Sequence, residues 1–348
     1  MERGRMDDAA LLWLLDAYRA VLPVKQIVEE MKRRHADAPH DWTSLEFQDA
    51  VMHRVVHDDV AEKYAPPRSY TYRFLKTLTD AIESAGGELA DDLVSELVPF
   101  VALGRVVELT AADSDEMHHV TYRTPSSMAG SPHDVTVTLR VASVFNDVGL
   151  KIWEAGFFLA EYVLAHGDLF TGRSVLELGA GVGITGIIVA KCVRLRRLVM
   201  SDYAPKVLLN QRYNTELNEP YVCPVDVDII DWESWDPHEA KRKTSYIRPD
   251  VLLAGDCTFL GDEDHEESME PVGNNDSQGK TPRRIAIFAA TVRNQLTFQT
   301  FLDTLAKQQI TYEDITQASL TRMGAVPLFP YDNREQIRLC KLYRTVRN

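Results

Sequence analysis

The sequence predicts an α/β fold, a mostly parallel sheet with helices on both faces, preceded by a helical domain. Three observations carry that expectation. A Gly-rich turn joins an apolar strand to an apolar helix within residues 174–192, strands alternate with helices from there onward, and the first hundred residues read only as helices. A chain of 348 residues has room for about two domains. The expected division is 1–108 for the helical domain and 109–348 for the α/β domain, with 109–150 as a hairpin extension and 261–284 as a flexible acidic loop.

Taken in order, Leu11, Leu12, Leu15, Tyr18, Val21, Ile27, Val28 and Met31 recur at helical spacing from Asp8 to about Arg34, with an interruption near Pro23. A second helical stretch covers Leu45 to Val60 and stops at Pro66-Pro67. Ser69 reads as the N-cap of a helix over Tyr70 to Ala85, which carries Phe74, Leu75, Leu78 and Ile82 on one face and ends at Gly86-Gly87. A further helix is expected from Ala90 to about Leu103. His118–Tyr122 and Val135–Val141 read as hairpin strands, and His118-His119 lack a third ligand at metal-binding spacing.

An apolar helix over Trp153–Leu164 precedes the Gly-rich unit. After it come a helix at Pro205–Leu217, strands near Val225–Ile229, Asp250–Ala254 and Ile285–Ala289, a helix at Leu296–Gln308, and strands near Tyr312–Ile315 and Gln336–Tyr343. This alternation means a mostly parallel sheet, with antiparallel strands plausible at its end and ligands bound beyond the carboxyl ends of its strands.

Composition narrows the function. Apolar residues make up 45% and charged residues 26%, the values of an ordinary globular protein. A net charge of −14 argues against a nucleic-acid surface, whose affinity comes from phosphate neutralisation, and suits attraction of a basic protein segment. No stretch is long and apolar enough to span a bilayer, and Leu11–Leu15 is too short and too acidically flanked for a signal peptide. The four cysteines are scattered without a C-x-x-C pair, as reduced core thiols are, so the cytoplasm is the expected compartment, with the nucleus open.

The Gly-rich unit reads Glu177-Leu178-Gly179-Ala180-Gly181-Val182-Gly183. Glycines let a backbone turn come within contact distance of a ligand, and the following helix offers unpaired N–H groups. The carboxylate just before the turn repels phosphate and suits a cation, so S-adenosylmethionine (AdoMet), with its α-amino group and sulfonium, fits better than a dinucleotide. Asp202 ends the next strand, where it either accepts from both ribose hydroxyls or caps the helix starting near Pro205. Trp153 and Trp232 have the alternative reading of core aromatics, and Asp256 that of a turn cap.

Together these residues resemble the seven-β-strand, Rossmann-like AdoMet-dependent methyltransferases, and within them the protein-lysine methyltransferases that act on chaperones and elongation factors. The broad resemblance rests on Trp153, Glu177–Gly183, Asp202, Asp231-Trp232 and Gly255-Asp256-Cys257-Thr258-Phe259. A narrower one, to the subgroup that methylates translation elongation factor 2, rests on Ser69-Tyr70 with Phe74-Leu75-Lys76, on Phe288–Asn294, on Leu328-Phe329-Pro330-Tyr331, and on the helical N-terminal domain.

The resemblance implies a protein-lysine N-methyltransferase with AdoMet as cofactor, translation elongation factor 2 as partner, and no metal. It implies that Trp153 contacts the methionine end of AdoMet, that Gly179, Ala180 and Gly181 with Glu177 form the cradle, and that Asp202 holds the ribose. Asp231 and Trp232 would lie along the adenine and Gly255 beside the cofactor. Asp256 and Phe259 would occupy the D-x-x-Y/F motif at the methyl-transfer site, the aspartate orienting the acceptor lysine and the phenylalanine walling its channel. Two departures stand out: Val144–Gly149 replaces a Ser/Gly/Thr-rich segment, and Phe259 replaces the tyrosine, so no tyrosine hydroxyl takes part there.

Overall fold

The computed structural model describes residues 8–37, 40–102, 117–143, 148–231, 249–256 and 284–344. Trp232, Phe259, residues 257–258 and 261–283, and the segment 144–147 lie outside the described residues. The chain divides into two compact units, residues 1–123 with 136–147, and residues 124–135 with 148–348.

In the first unit, helices α1 (Asp8–Arg19), α2 (Val24–Arg34), α3 (Leu45–Val51), α4 (Asp59–Lys63), α5 (Arg68–Ser84) and α6 (Asp91–Ala102) enclose a core that includes Leu11, Leu14, Ile27, Phe47, Leu75 and Ile82. Tyr18 stands in its middle, 5.0 Å from the ring of Phe74 and 5.7 Å from that of Tyr70. Its hydroxyl is satisfied by Thr71 Oγ1 at 3.0 Å. The stretch read as one helix from Leu45 to Val60 is three pieces, since a π-helical turn at Met52–Val56 follows α3 and the chain restarts at α4. Asp58 restarts it by accepting from the N–H groups of Val60 and Ala61, both at 3.0 Å. Ser69 is not the cap of α5: the helix begins at Arg68 behind Pro67, whose ring-fixed φ of −53 presets the turn without a side-chain bond. Gly86 (φ +77) ends it as expected.

Strands β1 (Met117–Thr124) and β2 (Val135–Ala142) form a separate two-stranded sheet whose Thr121 and Thr138 hydroxyls meet at 2.9 Å. Most of it belongs to the first unit, where Arg123 Nε donates to Asp16 Oδ2 of α1 at 2.9 Å.

The second unit contains a seven-stranded sheet built from β3 (Ser174–Leu178), β4 (Arg197–Asp202), β5 (Val225–Ile229), β6 (Val251–Gly255), β7 (Ile285–Thr291), β8 (Ile310–Asp314) and β9 (Ile337–Arg344) in the order β5-β4-β3-β6-β7-β9-β8. The first five are parallel, and β9 runs antiparallel between β7 and β8. Parallel strands need both faces covered, which is why Val175, Leu176, Leu198, Val199, Val251 and Leu253 are all buried. The short helix α7 (Ser126–Ala129) precedes α8 (Glu154–Ala165) and α9 (Gly167–Phe170); α10 (Ile184–Cys192), α11 (Pro205–Leu217) and α12 (Gln295–Lys307) connect strands. Helix α13 (Thr316–Met323) lies between β8 and β9, in a stretch for which the sequence reading named no element. No described helix is long and apolar enough to cross a membrane.

Candidate active site

Strand β3 is central in the sheet, paired with β4 on one side and β6 on the other, so its carboxyl end lies beside Asp202 of β4 and Gly255 of β6. The Gly-rich turn leaves that end. Gly179, Gly181 and Gly183 all have positive φ, at +59, +55 and +89. At Gly181 a Cβ would stand 3.1 Å from the carbonyl oxygen of Gly149, so backbone conformation and close approach both require glycine there.

The turn is held from outside. Gly181 N donates to Asp202 Oδ2 at 3.1 Å and Ala180 N to Ser201 O at 2.9 Å. Its carbonyls are taken by two buried side chains of α11, Gln211 Nε2 to Gly181 O at 3.1 Å and Asn214 Nδ2 to Val182 O at 2.9 Å. The sequence reading missed both; a polar residue every third or fourth position on the inner face of a helix was the available signal.

Asp202 is 7% exposed: Oδ1 accepts from Tyr203 N (2.8 Å) and Ala204 N (3.2 Å) just ahead of α11, without capping that helix, and Oδ2 holds the turn. Glu177 lies beneath the turn rather than at its rim, 3% exposed, with Oε2 2.7 Å from where a Cβ on Gly186 would be. Burial pushes its carboxyl up to about 8, against the pull of the Thr185 hydroxyl and the Gly186 N–H. Two acceptors under the turn, Glu177 Oε2 and Gln211 Oε1, have no hydrogen-bond partner among the described residues.

Helix α8 brings a second wall. Thr185 Oγ1 donates to Gly156 O at 3.1 Å, tying the start of α10 to the first turn of α8, and Gly255 packs against the Ala155–Gly156 backbone. Trp153, at the N-cap position of α8, is fixed by Nε1 donating to Val148 O at 3.0 Å. Asp231 follows the end of β5, next to Ile230, whose N–H donates to Asp202 O at 3.0 Å.

Asp256 follows β6 in a left-handed conformation, φ +51, which a non-glycine residue adopts at a cost of about 1 kcal/mol or more. Its carboxylate is fixed by β7: Oδ1 accepts from Thr291 N at 2.7 Å and Oδ2 from Thr291 Oγ1 at 3.0 Å. Arg293 adds a looser contact, Nη2 to Oδ2 at 3.5 Å.

Further along α8, Glu161 is 3% exposed within an otherwise apolar helix. It accepts from Leu328 N (2.6 Å), Phe329 N (3.2 Å), Tyr331 Oη (3.0 Å) and Arg334 Nη2 (2.9 Å), so one carboxylate gathers the Leu328–Tyr331 motif onto the helix. Phe157 stacks on Tyr331 with centroids 5.7 Å apart. A lone glutamate inside Phe157–Leu164 was the sequence signal.

The second unit thus brings Trp153, the Gly179–Gly183 turn, Asp202, Asp231, Gly255 and Asp256 to the carboxyl end of one sheet. The donor set fits AdoMet: carboxylates and backbone amides without a lysine or arginine at the turn match a cationic ligand with a ribose and no phosphate, and the glycine cradle leaves backbone exposed to it. Among the described residues no group of three or more His, Cys, Asp or Glu could hold a metal ion.

Comparison with known proteins agrees. A family model described as lysine methyltransferase matches residues 135–306. The human protein-lysine N-methyltransferase EEF2KMT is 28% identical over 324 residues, covering 87% of this chain and 88% of its own. Its mouse counterpart is 28% identical over 317 residues, 88% of each chain. The protein-lysine N-methyltransferase EFM3 of Chaetomium thermophilum is 27% identical over 259 residues, 68% of this chain and 72% of its own.

Proposed function

We propose that this chain, which belongs to the AdoMet-dependent lysine methyltransferase family, transfers methyl groups to a lysine of translation elongation factor 2. The observation that carries the acceptor is the extent of the likeness to the EEF2KMT proteins: it spans 87–88% of the chain and so extends well beyond residues 135–306 into the N-terminal helices. An acceptor that works in translation also suits the cytoplasm.

Trp153, Gly179, Ala180, Gly181, Asp202, Asp231 and Gly255 hold AdoMet, with Glu177 beneath the turn and Trp232 along the adenine. When bound, AdoMet supplies an electrophilic methyl group. What remains for the protein is to present a neutral amine in line with it, and positioning is its main contribution. Losing the proton at pH 7 costs an ordinary lysine roughly 4.6 kcal/mol, from a pKa of about 10.4.

Asp256 accepts from the acceptor amine and orients it, while Phe259 walls the channel. The aspartate can do this without moving because Thr291 already holds both carboxylate oxygens.

The test is methyl transfer from AdoMet to purified, unmodified elongation factor 2, read by intact mass, with AdoMet binding measured by calorimetry. Mass steps of methyl size are expected with the wild-type protein and a loss of at least a hundredfold in rate with Asp256→Ala, AdoMet affinity being kept. AdoMet binding without transfer refutes the acceptor and directs the search to another protein or a small molecule. Full turnover by Asp256→Ala removes the role given to that residue.

A further inference from the structure

Arg293 stands at the mouth of the acceptor site. Its guanidinium carbon lies 4.9 Å from the centre of the Trp153 ring, and Nη2 reaches Asp256 Oδ2 at 3.5 Å and Glu154 Oε2 at 3.8 Å. Three elements meet there: the first turn of α8 brings Trp153 and Glu154, the end of β6 brings Asp256, and the segment after β7 brings Arg293 itself. Among the described residues, Glu154 and Asp256 are the charged groups that pair with it.

Arg293 is not needed to orient Asp256. Thr291 does that with two shorter bonds, whereas the arginine side chain is 56% exposed and its two contacts are long. What Arg293 does bring is a positive charge that no physiological pH removes. The acceptor lysine meets two carboxylates at this mouth, and each of them stabilises its ammonium form, which cannot attack a methyl group.

We infer that Arg293 offsets the charge of Asp256 and Glu154 so that the acceptor lysine sheds its proton near neutral pH. The inference rests on the reading above, in which the acceptor amine docks at Asp256. It separates two functions: Asp256 orients the amine, and Arg293 cancels the electrostatic penalty of using a carboxylate to do so. The face of Trp153 keeps the guanidinium over this spot, since a planar cation stacks on an indole.

A half-exposed unit charge roughly 6 Å from the amine shifts its titration by about 0.5 to 1 pH unit at an effective dielectric of about 40 to 80. The experiment measures kcat against pH for the wild type, Arg293→Gln and Arg293→Lys. The acidic limb of Arg293→Gln is expected to move up by about 0.5 to 1 unit, making turnover about three- to tenfold slower at pH 7, and Arg293→Lys is expected to restore it. S-adenosylhomocysteine affinity should stay within about twofold throughout.

A second measurement needs no acceptor. Sinefungin carries a primary amine where AdoMet carries its S-methyl group, so it places a titratable nitrogen at the acceptor mouth. At pH 7, Arg293→Gln is expected to tighten sinefungin about three- to tenfold relative to S-adenosylhomocysteine, and Arg293→Lys to leave the ratio unchanged. An unmoved acidic limb overturns the inference, whether kcat falls, as for a structural role, or the acceptor KM falls, as for a displaceable plug. So does an unchanged sinefungin ratio. If the wild type transfers methyl to no lysine, the fault lies in the proposed function, and the sinefungin ratio still decides the case of Arg293.

Discussion

Replacing Glu177 by glutamine is expected to leave stability nearly unchanged at pH 5 and to raise it at alkaline pH. The carboxyl is 3% exposed on the central strand β3, its Oε2 meets no donor among the described residues, and burial raises it from the ordinary 4.5 to about 8. With the folded value raised, the native chain keeps a proton that the unfolded chain releases. The resulting stability is fully present below about 4.5, declines as the pH rises, and is lost once the pH passes about 8. At about 1.36 kcal/mol per unit, this rise corresponds to roughly 3–5 kcal/mol across the window. Glutamine has nearly the same shape and no titration, so Glu177→Gln carries none of that slope. Urea unfolding of both proteins at pH 5, 7 and 9 measures it: the difference should lie within about 1 kcal/mol at pH 5 and grow to about 3 kcal/mol or more in favour of the variant at pH 9. A difference that does not change with pH would refute the reasoning, because it would mean that the Thr185 hydroxyl and the Gly186 N–H stabilise the carboxylate as well as water does.

Two more predictions follow from buried polar groups. Glu161→Leu leaves Arg334 buried and unpaired and should cost about 3–5 kcal/mol in urea unfolding, whereas the double change Glu161→Leu with Arg334→Leu should cost less than the sum of the single changes, since the pair is coupled. Gln211→Leu combined with Asn214→Leu frees the Gly181 and Val182 carbonyls of the turn; at about 1 kcal/mol per bond, AdoMet affinity by calorimetry should fall about five- to thirtyfold, and an unchanged affinity would show that the turn holds its shape without α11.

Local patterning was enough to determine most elements of this protein. The helix over Ile184–Cys192 and that over Pro205–Leu217 have the bounds their apolar runs and the proline at the first helical position imply. The strand at Val225–Ile229 likewise follows from its own residues. The glycine turn was legible for the same reason: positive φ and close backbone approach are demands on single positions, and only glycine meets them without cost. Boundaries failed where a neighbour overrode propensity, as at Asp58, whose side chain competes for the backbone and divides a stretch that reads as one helix.

Only the tertiary structure decided which of these elements share an edge. The insertion of β9 between β7 and β8 sets the motif at Leu328–Tyr331 against Glu161, 167 residues or more away in sequence. The pairing of β6 with β7 likewise puts Thr291 on Asp256 and Arg293 over Trp153. Such meetings depend on strand order and on the burial of charges that no sequence window contains. An aspartate at a strand end announces itself in the sequence, but the threonine that pins it and the arginine that meets its charge become neighbours only when the sheet assembles.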